Sequence, residues 1–241
     1  MDMPIDMQHQ AMGYDRTATM FSPEGHLLQV EYAEKTVRLG VASIGMVCSD
    51  GVFIIADKRI TDTLIVQESA SRVHEVDSHI IASVAGITSD GRILIERAQV
   101  LAQQHRVTYD SPVEPESIIK DISNTKQQFT QYGGARPFGI SMMLAGINGK
   151  KPELFTSDVT GNYFSYKANA IGEDDEKIRE KLREKYKSDL TIEKGVKLAL
   201  DIFKEIKNKT FNMEKFELVY IQTRDTKLKR LEGEKIKEFV K

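Results

Sequence analysis

The stretch VASIGMVCSDGVFIIA, Val41–Ala56, decides how this chain folds. Val41–Val47 and Val52–Ala56 are β-prone runs, and Asp50-Gly51 between them is a good hairpin turn. Toward the C-terminus the same signal recurs. Arg72–Val76 and His79–Ala85 flank Asp77-Ser78, and Gly139–Ile147 and Glu153–Ser157 flank Asn148-Gly149, the strongest hairpin signal in the chain. Asn162–Tyr166 and Lys167–Ile171 are expected to continue the sheet, and Glu217–Gln222 reads as a last strand.

Helical spacing fills the gaps. Toward the N-terminus, Leu27, Val30, Tyr32, Ala33 and Val37 predict a short amphipathic helix from Leu27 to about Arg38, entered through the Phe21-Ser22-Pro23-Glu24-Gly25 turn. Leu94, Ala98, Leu101, Ala102 and His105 predict a helix from Ser89 to about Thr108, capped by Ser89 or Asp90. Pro115 suits the first turn of a second helix, which Ile118, Ile119, Ile122 and Phe129 carry to near Tyr132. Ile178, Leu182 and Tyr186 mark a charged helix. Val196, Ala199, Leu200, Phe203 and Ile206 mark a longer one with Thr191 as its cap, and Glu232–Val240 predicts a short terminal helix. The blocks run helix, strands, two helices, strands, two helices, strand. That order points to an α+β fold of two sheets covered by helix pairs.

The 241 residues suffice for one well-cored domain and are marginal for two. A net charge of −2 gives no overall pull toward nucleic acid or membrane. The single cysteine, Cys48, excludes an intrachain disulfide, fits a reducing cytoplasm and reads as a buried structural thiol. Met1–Met12 is polar and lacks the features of a secretory signal, and Met1–Gly13 is expected to be mobile. No apolar run approaches the roughly 20 residues that span a bilayer, so a soluble chain is expected. Asn208-Lys209-Thr210 reads as a chance sequon.

Catalytic signatures are sparse. There is no phosphate-loop or dinucleotide fingerprint and no GxSxG elbow; Gly146–Lys150 reads as a hairpin turn. His74 and His79 straddle a turn and face different ways, so no metal site is expected, and no cofactor. The acidic run Glu173–Glu176 suits a helix N-terminus and a solvated face.

Four motifs remain: Gly13-Tyr14-Asp15-Arg16 with Phe21–Gly25, Leu28-Gln29-Val30-Glu31-Tyr32-Ala33, Ala56-Asp57-Lys58-Arg59, and Tyr132-Gly133-Gly134-Ala135-Arg136-Pro137-Phe138-Gly139. In this order and spacing they resemble the α-type subunits of the 20S proteasome, most closely the archaeal ones, from about Gly13 to Val219. The resemblance implies a four-layer αββα sandwich of the N-terminal nucleophile hydrolase type. It implies a homo- or hetero-heptameric α ring capping proteasome β subunits in the cytoplasm. A regulatory ATPase ring docks on the outer face, and unfolded polypeptide passes through.

The resemblance also assigns residues. Active members of the fold need an N-terminal Thr, Ser or Cys. The matching junction here is Gly40-Val41, which has no nucleophile, so no catalytic residue is expected, although Asp57 matches the catalytic aspartate. Tyr14, Asp15, Pro23 and Tyr32 match a gate cluster between neighbouring subunits, with Met1–Met12 as the plug. Leu27, Gly40 and Arg72 match an activator pocket, Arg72 replacing the usual lysine. Tyr132, Gly133 and Gly134 match a loop lining the passage for substrate. Ring contacts are expected from the Leu27–Arg38 helix and the helix beginning near Ser89. The implied division is residues 1–38 for gate and ring contact, 39–231 for the sandwich and 232–241 for a tail helix. A self-assembling scaffold ring and an independent hydrolase on the same fold are the alternatives.

Overall fold

The structure, a computed structural model, describes residue 13 and residues 16–59 and 64–240. Helix α1 (Leu28–Leu39) leads into the hairpin of β1 (Ser43–Cys48) and β2 (Gly51–Asp57). A second hairpin, β3 (Val73–Asp77) and β4 (Ile80–Gly86), precedes helices α2 (Thr88–Tyr109) and α3 (Pro115–Phe129). Then come β5 (Ile140–Asn148), β6 (Lys151–Ser157), β7 (Tyr163–Ser165) and β8 (Ala168–Ile171), followed by helices α4 (Asp175–Lys185) and α5 (Ile192–Lys207). Strands β9 (Phe216–Gln222) and β10 (Leu228–Glu232) and helix α6 (Glu234–Phe239) close the described chain.

The strands form two antiparallel five-stranded sheets, ordered β10-β9-β2-β1-β8 and β3-β4-β5-β6-β7. Three apolar clusters define four layers. Val52, Ile54 and Ala56 of β2 meet Met143, Ala145 and Leu154 between the sheets. Phe53 and Ile55, on the other face of β2, pack on Val196, Ala199 and Phe203 of α5. Ala82, Met142 and Leu144 of the second sheet pack on Leu94, Ala98 and Ile118 of α2 and α3. Every residue of β2 is buried because both faces of its sheet are covered. The αββα expectation therefore holds. Helix α1 inserts Val30, Ala33 and Val37 into the inter-sheet core, and α6 adds the fully buried Ile236 to the cluster between the first sheet and α5.

Several local expectations change. Asn162–Tyr166 and Lys167–Ile171 do not extend one sheet: β7 pairs with β6 and β8 pairs with β1. The chain crosses between the sheets at Tyr166-Lys167, where Tyr166 N–H reaches Leu154 O at 2.8 Å and Lys167 O accepts from Val47 N–H at 2.8 Å. Strand β10 was not expected. Its sequence, LKRLE, is charged because it is an edge strand whose residues are only half buried or exposed. Neither Ser89 nor Asp90 caps α2; the cap position is Ile87, without a side-chain hydrogen bond. Asp90 is drawn away by a bidentate pair with Arg136, at 2.6 and 2.7 Å, and by Gly139 N–H at 3.0 Å. Helix α3 stops at Phe129, before Tyr132. Thr191 does cap α5, accepting from Lys194 N–H.

Candidate functional site

At the end of α1 the chain passes through Gly40-Val41 into the first sheet. Gly40 lies so close to β4 that a Cβ there would stand 2.3 Å from Gly86 N. Its N–H donates to Val37 O at 2.9 Å and its carbonyl accepts Glu173 N–H at 2.9 Å. The junction is thus continuous chain, clamped between β4 and the entrance to α4. Val41 is aliphatic and its nitrogen is an amide. Peptide cleavage by this fold needs a free α-amine and an adjacent hydroxyl or thiol, and both are missing here.

Around the junction is a recess of about 180 Å³ lined by Leu39, Gly40, Val41, Arg59, Arg72, Val84, Gly86 and Thr88. Its charged wall comes from long-range pairing. Asp57, at the end of β2, accepts Arg59 N–H at 2.9 Å and pairs with Lys207 of α5 at 2.7 Å. Arg59 pairs in turn with Glu173. Beneath them Glu217 of β9, fully buried, accepts Ser71 Oγ at 2.7 Å and Arg72 N–H at 2.9 Å and pairs with Arg230. Burial, and then the positive charge of Arg59, pull the Arg72 pKa below its ordinary value, with Asp57 opposing. The buried Nε of Arg72 has no hydrogen-bond partner. Chemically the recess is a cationic socket without a nucleophile, suited to an anionic group.

The assigned residues fall in different places. Gly40 and Arg72 share the recess; Leu27 stands at the other end of the 12-residue α1, about 18 Å away at about 1.5 Å per residue. Pro23 is exposed in a turn closed by Ser22 N–H to His26 O and Gly25 N–H to Ser22 O, both 2.9 Å. Tyr32 is half-buried, with Lys35 Nζ 5.2 Å from its ring centroid. Tyr14, Asp15 and Met1–Met12 lie outside the described residues. Tyr132 is exposed and meets Phe129 edge-on at 6.0 Å; Gly133 and Gly134 have no atom within 4 Å of a Cβ position.

Sequence reasoning missed Lys207, Glu217 and Arg230, which pair with residues around and behind the recess without lining it. Their partners Asp57, Ser71 and Arg72 lie about 150 residues away, beyond any local pattern. Cys48 is buried as expected, and burial pushes its thiol up to about 12.

An αββα sandwich with a blocked first strand defines a member of the N-terminal nucleophile hydrolase fold without a nucleophile at that strand. Comparison with known proteins makes the family specific. Residues 37–221 match the proteasome subunit family, and residues 14–35 match the N-terminal signature of its A-type members. The chain belongs to the proteasome subunit family, in its α-type branch. It is 41% identical over 228 residues to the proteasome alpha subunit of Pyrococcus horikoshii, covering 95% of this chain and 87% of that one. It is 40% identical over 229 residues to the proteasome alpha subunit of Methanosarcina thermophila (95% and 93% covered), and 38% over 231 residues to that of Methanothermobacter thermautotrophicus (96% and 93%). Among the described residues no helix is long and apolar enough to cross a membrane.

Proposed function

We infer that this chain is a non-catalytic α-ring subunit of the 20S proteasome core, working in the cytoplasm in protein degradation. The observation that carries the reading is the Gly40-Val41 junction: an internal, aliphatic, clamped peptide where the fold's enzymes expose a nucleophile. The α-type N-terminal signature over residues 14–35 supports the same assignment.

The finer reading follows from the assigned residues. Seven copies, or copies of sibling chains, form the ring that stacks on β subunits, using α1 and α2 for contacts. Ile93, Val100 and Val107 leave apolar area exposed on α2, which supports that use. Residues 1–38 carry the gate and ring contacts, 39–231 the sandwich and 232–241 the tail helix. Tyr14, Asp15, Pro23 and Tyr32 hold the gate open, and Met1–Met12 plugs it. Tyr132, Gly133 and Gly134 line the passage of unfolded substrate. Arg72 and Gly40, with Leu27 supplied across the subunit boundary, receive the terminal carboxylate of a regulatory ATPase ring. The place of Arg72 in the recess beside Gly40 supports this, since an arginine fork can grip a carboxylate with two hydrogen bonds.

The test is reconstitution with a β-type chain. The pure chain should show no peptidase turnover, and the co-assembled particle should. Arg72→Ala should abolish ATPase-stimulated hydrolysis while leaving the basal rate unchanged. Turnover by the pure chain, or full stimulation of the variant, would overturn the corresponding part of the reading.

A further inference from the structure

Lys126, in the last turn of α3, is wholly buried. Its amine donates to Ser157 O at 3.2 Å and to Ser157 Oγ at 3.3 Å. Among the described residues nothing else accepts from it. An ammonium has three N–H groups to place and a neutral amine has two. The surroundings of Nζ therefore match the neutral amine. Ser157 is itself fixed, because its Oγ accepts from Ser123 Oγ at 2.9 Å and its carbonyl accepts from Ser141 Oγ at 3.0 Å.

The carboxylate whose charge acts on the amine is Asp158, in the turn between β6 and β7. Asp158 is occupied within that turn. It accepts Thr160 N–H at 2.9 Å, Thr160 Oγ at 2.7 Å, Asn162 N–H at 2.9 Å and Asn162 Nδ2 at 3.2 Å, and it forms no ion pair with Lys126. The charged groups on the other elements packed around α3 are committed elsewhere. On α2, Asp90 pairs with Arg136, Arg97 with Asp121 of α3 and Arg106 with Asp77. On β6, Glu153 pairs with Lys151; β5 brings no ionisable side chain and β7 brings Tyr163. Burial pushes the Lys126 pKa from 10.5 down to about 7, with Asp158 opposing.

The amine sits where a shift would be felt. The β6–β7 turn is pressed onto α3 at Gly161, where a Cβ would stand 2.4 Å from Ser123 O and 2.9 Å from Gln127 N. Beyond Lys126 the helix ends through Thr130 N–H to Gln127 O and Gln131 N–H to Gln128 O, both 3.0 Å. Phe129 then leans on Phe138 at 4.6 Å and on Tyr132 at 6.0 Å, so the exposed Tyr132-Gly133-Gly134 loop hangs from this last turn.

We propose that Lys126 is a proton-operated latch: its neutral amine holds the last turn of α3 against the β6–β7 turn, and its protonation releases that turn and the loop that follows. A charged amine must reach water or draw Asp158 out of its turn, and either movement parts α3 from Gly161. The released state holds a proton that the closed state lacks between about pH 7 and pH 10.5, so its population falls about 10-fold for each pH unit across that window and levels off below it. The latch belongs to the single chain and does not rest on where the loop sits in an assembly.

The experiment is amide hydrogen exchange on the full chain, in whatever assembly it adopts, from about pH 7 to about pH 9.5. It is read by mass spectrometry where closing outruns the chemical step, and corrected for intrinsic exchange. The opening constant of residues 127–138 should fall about 10-fold per pH unit, while that of the α5 residues Ala199–Phe203, in the opposite layer, stays level. Lys126→Met should remove the pH dependence. Ser157→Ala keeps the amine but takes away one acceptor, and should raise opening of residues 127–138 at about pH 9 by at least about 3-fold. The profile of the parent chain decides the matter even if a variant fails to fold. A level profile over residues 127–138 would overturn the proposal. So would an equal slope in α5, which would mark global unfolding, a slope that survives Lys126→Met, or unchanged opening in Ser157→Ala.

Discussion

Gly40 and the Gly133-Gly134 pair are all glycines at junctions between helix and strand, yet their surroundings are opposite. A Cβ on Gly40 would meet the backbone of β4 at 2.3 Å, whereas Cβ positions on Gly133 and Gly134 have nothing within 4 Å. The first glycine exists for contact inside the chain. The second pair meets no part of its own chain, and Gly134 has φ +83°, which an L side chain rarely adopts. A glycine packed against the backbone of β4 thus differs from glycines whose Cβ positions stand in open space. The place where an enzyme of this fold would expose its nucleophile is here packed against β4 and the entrance to α4.

The largest expected effect lies at the packed end. Gly40→Ala should cost about 3 kcal/mol in chemical denaturation, because the atom it strikes is backbone and cannot rotate away. A change below about 1 kcal/mol would mean the junction can relax, and the contrast would fail.

The next effect concerns the base of the open loop. Arg136 and Gly139 N–H are both held by Asp90, so Asp90→Ala leaves a buried N–H unpaired and should cost about 2 kcal/mol by thermal or chemical unfolding. Burial alone would push the Asp90 carboxyl up, but the Arg136 and Gly139 bonds outweigh it and hold it below its usual range. A carboxyl depressed in the folded state stabilises above its unfolded pKa, and that stability is lost as pH falls through the folded value. The variant should therefore lose stability less steeply in acid than the parent. Equal acid slopes would remove Asp90 as the anchor of the loop.

Helix α3, which feeds the loop, carries a group that opposes folding. Lys126 is wholly buried, donates to Ser157 O at 3.2 Å and Ser157 Oγ at 3.3 Å, and burial pushes its pKa down to about 7, with Asp158 opposing. Between about 7 and the unfolded value of 10.5 the unfolded chain holds a proton that the folded chain lacks, so stability from this group rises with pH across that window. Lys126→Met should stabilise the fold at pH 7 by about 1–2 kcal/mol and flatten that rise. A stability curve unchanged by the substitution would show that the amine is already well accommodated.

The smallest effect tests the open end. Gly133→Ala should change stability by less than about 0.5 kcal/mol, since the added methyl meets nothing. A larger loss in the isolated chain would place this glycine with Gly40.

Much of the fold was legible because short-range chemistry writes it. Asp50-Gly51 and Asn148-Gly149 join paired strands β1–β2 and β5–β6 in register, and the apolar spacing of α3 and α5 marks their buried faces. The charged strand β10 was not legible, because an edge strand needs no apolar pattern. At the site, Gly40 and Arg72 carried a motif signal and do share a recess. Lys207, Glu217 and Arg230 carried none, because a buried charge is recognised only by the partner folding brings to it.

By itself the sequence determined the order of hairpins and helices, the α-type motifs and the aliphatic Val41, since each depends on residue type and spacing along a few turns of chain. Only the tertiary structure decided which sheet β7 and β8 join and how Asp57 and Glu217 are neutralised. Those outcomes depend on burial and on tertiary contacts, such as Asp57 with Lys207 and Arg72 with Glu217 about 150 positions apart, which local spacing does not encode.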